Sequence, residues 1–170
     1  MPEPEQLITS VLASAGGEIV GRVRLQKVVY LLDQLGLNTG FSYSYHHYGP
    51  YSADLVDAVD GAKAFRLIEE QTRHRRSDGV PFSVYKLAPN CELDELGELG
   101  ALRLRSSVDL MSAYSATVLE LAATIHWLRT KETVEDWRAE LVRRKGVKTQ
   151  EGRAEEAVEL LRRLGLFNEH

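Results

Sequence analysis

Residues 65–88 constrain the fold of this chain more than any other stretch. Two β-rich runs, FRLIEEQTRHRR and PFSVYKLA, flank Ser77-Asp78-Gly79, a strong signal for a tight reversal. The segment is therefore predicted to form a β-hairpin. Almost everything around it reads as helix. Leu7, Ile8, Val11, Leu12 and Ala15 recur at helical spacing and stop at Gly16-Gly17, with a short link after them. In GRVRLQKVVYLLDQLG, Leu25, Val28, Leu32 and Leu35 make one stripe, Val29 and Leu31 widen it, and Gly36 closes it.

The alternation in FSYSYHHY predicts a strand with Phe41, Tyr43, Tyr45 and His47 on one face. Gly49-Pro50 then reads as a turn, and Ser52 as the N-cap of a helix through about Ala62. On that helix Asp54, Asp57 and Asp60 oppose Leu55, Val56 and Val59, which gives it an acidic outer face. Beyond the hairpin, PNCELDELGELG is a polar link, and the remainder is helical. One helix is expected through Leu102, Val108 and Met111, and the next carries Val118, Leu121, Ala122, Ile125 and Leu128. A third starts near Thr133, whose hydroxyl with Asp136 resembles a capping box, and ends at Gly146. The last carries Ala154, Ala157, Val158, Leu161 and Leu164.

Helix, helix, strand, helix, hairpin is the order of a winged helix, with residues 65–88 as the wing. The expected fold is mainly α with a small antiparallel sheet. A winged-helix-like unit over 1–90 would carry a C-terminal helical cap over 91–170, and a single domain over 1–170 is the alternative division. With 170 residues the chain is long enough for a proper core. Its net charge of −4 leaves no global positive field for nucleic acid, so such contact would need a local basic patch. Cys91 is the sole cysteine, which excludes an internal disulfide and a cysteine-based zinc site. The N-terminus carries no apolar signal, and no apolar run approaches the ~20 residues of a membrane span. A cytoplasmic protein without membrane contact is expected.

Arg22, Arg24 and Lys27 sit in the first turns of their helix, where they oppose its dipole, so stability alone does not explain them. Arg73, Arg75 and Arg76 cluster with His74 near the hairpin tip, either as a solvated tip or as phosphate contacts. Gln26, Lys27 and Tyr30 share one helix, and a turn with His47, Tyr48, Gly49 and Pro50 could fold against them. Together these residues suit a pocket or contact surface; the bland reading makes the tyrosines core residues with bonded hydroxyls. His46 and His47 would face opposite ways on a strand and cannot share a metal. Ser52, His47 and Asp54 lack an oxyanion hole, and Ser52 is already a cap. Glu69 and Glu70 also face opposite ways. No phosphate loop, dinucleotide fingerprint, HExxH or CxxC occurs, so neither catalysis nor a cofactor nor a metal is expected.

The sequence therefore points to a regulatory module that binds a protein, because an acidic helix beside a basic wing suits a charge-complementary partner. A homodimer is a second form of that reading, through Trp127 and Trp137 at the edges of their helical stripes. Nucleic-acid binding through the wing is the alternative. It is opposed by Asp54, Asp57 and Asp60 on the helix that a winged-helix reader would place in the major groove.

GRVRLQKVVYLL, YHHYGPYSADL, the basic hairpin and KGVKTQEGRAEEAVELLRRLGLF together resemble the YwgA-like proteins of bacteria and archaea, over nearly the whole chain. The LQK-x-x-Y and YGP pair resembles, over the first half, the SocA-like Panacea antitoxin domain. Leu25, Gln26, Lys27, Tyr30, Tyr48, Gly49 and Pro50 match the motif positions. The first resemblance implies no activity. The second implies an antitoxin that neutralises a toxin by protein contact, although YHHYGPYS stands where a tryptophan commonly precedes the YGP.

Overall fold

The computed structural model of the chain describes residues 3–89 and 100–168. Cys91 and nearly all of the polar link lie outside them. The first helix, α1, runs Pro4–Ser14, and Gly17, with φ +101°, turns the chain into a three-residue strand, β1, at Glu18–Val20. Next come α2 (Arg22–Gln34), two short strands β2 (Ser44–His46) and β3 (Gly49–Tyr51), and α3 (Ala53–Ala64). The hairpin strands are β4 (Ile68–His74) and β5 (Pro81–Leu87). Four helices follow: α4 (Ala101–Ser112), α5 (Ala116–Thr130), α6 (Trp137–Lys145) and α7 (Arg153–Leu164), with a 3-10 turn at Gly146–Thr149 after α6. The fold is mainly helical with a small antiparallel sheet, as expected.

The 65–88 hairpin pairs Ile68 with Leu87 at its base and His74 with Pro81 near its tip. Strand β1 adds to the outer edge of β5, Val20 opposite Val84, so the sheet order is β1-β5-β4. The segment expected to be a plain link is thus a strand. Three residues are too few to show an alternation, and only Ile19 of the three is buried. The Gly21 amide donates to Ser83 O at 2.8 Å and carries the ladder to the first turn of α2.

Residues 41–51 require a correction. The strand expected over 41–48 breaks at His46, the reversal occupies His47-Tyr48, and Gly49-Pro50 lie within β3. An unbroken alternation cannot reveal where a strand turns back, and Gly49-Pro50 reads as a turn only when packing is ignored. Two helix readings also change. Asp136, not Thr133, caps α6, accepting from the Ala139 amide at 3.2 Å, while Thr133 has φ +49°. Leu104, not Leu102, faces the core in α4; Leu102 is 85% exposed. The cap at Ser52 is as expected, with its hydroxyl accepting from the Leu55 amide.

Helix α5 is the centre of the molecule. Ten of its fifteen residues are buried, and it packs against α2, α6, α7 and β3. A helix covered on every side needs apolar residues all round, which VLELAATIHWL nearly supplies. One hydrophobic cluster joins α1, α2, α3 and the hairpin base to α4, α5 and α7. No single helix among the described residues is long and apolar enough to cross a membrane.

Candidate functional site

Helix α2 turns its LQK-x-x-Y residues inward, onto the strands that follow it. The Gln26 amide forms a two-way clamp with the backbone of Ser52: its nitrogen donates to Ser52 O and its oxygen accepts from Ser52 N, both at 2.9 Å. One helical step on, the Lys27 ammonium donates to Pro50 O at 2.6 Å. A further turn along, the Tyr30 hydroxyl lies 2.8 Å from Nδ1 of His126 on α5. Tyr30 meets Tyr43 edge-on at 5.0 Å, and the Tyr43 hydroxyl donates to Asp33 at 2.7 Å. Burial raises the pKa of both tyrosines and lowers that of His126 to about 4, so the imidazole is neutral at ordinary pH.

Strand β3 lies directly on α5. A side chain at Gly49 would bring its Cβ within 2.7 Å of Thr124 Oγ1, and Gly49 also has φ +96°, so both space and backbone select glycine. The YGP segment and the LQK-x-x-Y helix are therefore two sides of one seam, closed by α5.

At this seam sits a buried charge cluster. Glu120 of α5 is 3% exposed, and its carboxylate meets Lys145 of α6 at 3.0 Å and Lys148 of the 3-10 turn at 3.0 Å. Lys145 also donates to His47 O at 3.1 Å. Lys27, 1% exposed, feels all three groups. Its pKa falls to about 8, chiefly because burial penalises the ammonium; Glu120 opposes that and the other two lysines add to it. Three lysines thus share one carboxylate. Outside them, Lys148 lies 4.9 Å over the Tyr48 ring and Arg144 lies 4.7 Å over the Tyr45 ring.

The structure therefore separates residues that the sequence groups together. Gln26, Lys27, Tyr30, Gly49 and Pro50 are buried, and a partner cannot touch them directly. Lys27 in particular leaves the set of surface cations, since its helix position serves the interior seam. Arg24 is half-buried and donates to Tyr114 O at 2.8 Å, tying α2 to the end of α4. Arg22 remains exposed, with a 3.5 Å contact to Glu70. His47 and Tyr48 are exposed at the β2–β3 reversal. At the hairpin tip Arg73, Arg75 and Arg76 are exposed, and Arg75 is held by Asp78 of the same turn.

Sequence reasoning missed Glu120, His126, Lys145 and Lys148. A signal existed for the first two, because polar residues in a helix that is apolar on all faces have to be buried and paired. Nothing local marks Lys145 or Lys148. No group of three or more metal-ligating side chains occurs among the described residues.

The surface has a different character. On α3, Asp54, Asp57 and Asp60 are exposed, with Asp54 accepting from the Ser42 amide at 2.8 Å. This helix leads into β4 and packs against it, and Lys63 links Asp60, at 3.9 Å, to Glu70 of β4, at 3.0 Å. Trp127 and Trp137 are partly buried against the core; the Trp127 indole donates to Glu132 at 2.9 Å, and Arg138 lies 4.5 Å over the Trp137 ring.

No family model matches the chain. It is 24% identical over 112 residues to the uncharacterized protein YwgA of Bacillus subtilis (strain 168), a match that spans 66% of this chain and 67% of that protein. This degree of similarity supports a YwgA-like relationship.

Proposed function

We propose that the chain is a non-catalytic regulatory module, antitoxin-like in working by protein contact, whose contact face is the outer side of α3 with the adjoining hairpin. The observation that carries this reading is the exposed acidic stripe of Asp57 and Asp60 on a helix that packs against a hairpin whose tip carries arginines. Such a pattern of both signs steers one complementary protein and repels others. A winged-helix reading of residues 3–89 accords with it. What supports the winged helix is the order α1, β1, α2, β2, β3, α3, hairpin, in which the strand that pairs with the hairpin comes before α2, whereas the expected order put a strand only after it. The buried motif residues hold the β2–β3 reversal and the start of α3 in place, which suits a rigid contact face. The likeness of the LQK-x-x-Y and YGP pair to the Panacea antitoxin domain points the same way.

The test is capture of partners from the native host with wild type, with Asp57→Lys/Asp60→Lys, and with Glu155→Lys/Glu156→Lys on α7 as the control. A partner retained by wild type and the control but lost by the α3 variant supports the reading. A partner held equally by all three removes it. The second reading, nucleic-acid binding by the wing, draws on the exposure of Arg73 and Arg76. Tight, salt-sensitive binding of duplex DNA or structured RNA, lost when Arg73, Arg75 and Arg76 become Glu, would replace the protein-partner reading with this one.

A further inference from the structure

Between α2, α3 and the base of the β4–β5 hairpin lies a recess of about 260 Å3. Leu25, Leu55, Val56 and Val59 give it an apolar interior, with Tyr85 on the hairpin side. Its polar end holds one carboxylate and one guanidinium. The Glu70 carboxylate is already engaged: Ser83 donates to Oε2 at 2.7 Å and Lys63 to Oε1 at 3.0 Å. Glu70 therefore offers little to an incoming cation.

Arg22 is placed differently. Its side chain is 77% exposed at the mouth, and Glu70 and Tyr85 both interact with its charge. A guanidinium carries five N–H donors, of which Glu70, at 3.5 Å, and the Tyr85 hydroxyl engage only a part. The remainder can be offered to a ligand. Arg22 is also in the first turn of α2, a poor place for a cation if helix stability were its only use.

We propose that this recess binds a small molecule with an apolar body and a single carboxylate, the body lying among Leu25, Leu55, Val56 and Val59 and the carboxylate on Arg22. The volume limits the body to about one ring with a short tail, just under the usual range for ligand pockets. Pairing with a guanidinium fixes an oxyacid in place by parallel hydrogen bonds. The site does not depend on the protein-contact reading above, although Val56, 39% exposed on α3, joins the recess to that face.

The experiment uses the full chain with isotope-labelled Ile, Leu and Val methyl groups. It is titrated separately with 3-phenylpropionate, its neutral amide and phenethylammonium. Saturable shifts confined to the methyls of Leu25, Leu55, Val56 and Val59 are expected, with the acid binding about ten-fold more tightly than the amide and the cation most weakly. Arg22→Ala, at an exposed site that does not threaten folding, is expected to bring the acid to the level of the amide. Equal affinity for acid and amide, unmoved recess methyls, or an Arg22→Ala variant that binds the acid undiminished would overturn the proposal. None of these outcomes alters partner capture by the α3 face, so the two readings fail separately.

Discussion

Glu120 neutralises only one of the three lysines gathered around it, which makes the cluster asymmetric toward substitution. Glu120→Gln leaves three ammonium groups together without a carboxylate, two of them buried, and is expected to cost about 3–5 kcal/mol of stability. Lys27→Met removes a like charge and keeps an apolar stem in the same space but takes the buried donor from Pro50 O, so its cost should be smaller, about 1–3 kcal/mol; urea unfolding of both variants checks the order. Between pH 8 and the tyrosine range, the unfolded chain holds a proton on Lys27 that the folded chain has released. Stability therefore rises with pH over that window, and Lys27→Met should flatten the rise. His126 acts at the acid end. Its folded pKa of about 4 lies below the unfolded value, so the unfolded state binds more protons between pH 6.5 and 4. Stability should fall across that window by up to about 3 kcal/mol, and His126→Asn, which cannot be protonated there, should lose this part of the slope. The motif residues Gln26, Lys27 and Tyr30 were legible as a group, and so was a core Tyr30 with a bonded hydroxyl, but the inward direction of Lys27 was not. Basic residues in a first turn look like surface contacts because the partner that buries Lys27 comes from β3, and the carboxylate nearby from a helix far along the chain.

Among the elements, the seam between β3 and α5 is the least tolerant of change. Gly49→Ala combines a 2.7 Å clash with a left-handed backbone and should destabilise by more than about 2 kcal/mol. Ser52→Ala removes the cap of α3 and should cost about 1 kcal/mol, because the clamp from Gln26 to the Ser52 backbone survives. Thermal unfolding of the two variants side by side checks the ranking. Helices with a periodic apolar stripe, α1, α2 and α7, were legible to within a few residues, although only α7 buries a single face, since residues 7–12 of α1 and 25–32 of α2 are buried all round. Where the pattern was two-sided or short it misled. β1 has one buried residue, the aromatic alternation of 41–48 conceals a reversal, and Thr133 mimics a cap that Asp136 supplies. The hairpin was readable because its turn residues and its two strands agree.

On the scale of the whole molecule, the continuous cluster through α2, α5 and α7 predicts that both halves of the chain unfold together. Tryptophan fluorescence, which reads Trp127 and Trp137 in the C-terminal helices, and far-ultraviolet circular dichroism should give coincident urea transitions. Two separated transitions would show that the helical cap melts independently. The helical class and the small sheet could be anticipated from the sequence, since each rests on local pattern. The wrapping of α5 by α2, α6, α7 and β3 could not, because a buried helix shows no preferred face and names no neighbours.

The pairing of β1 with β5 also bears on how the molecule comes into being. Residues 18–20 emerge early in synthesis but find their hydrogen-bonding strand only when residues 84–86 have followed. The inward face of α2 waits longer still, for α5. Contacts so distant along the chain slow folding and leave apolar surface bare in the interval. A chain halted before α5 is therefore expected to leave Tyr30 uncovered, because its partner His126 lies 96 residues further on.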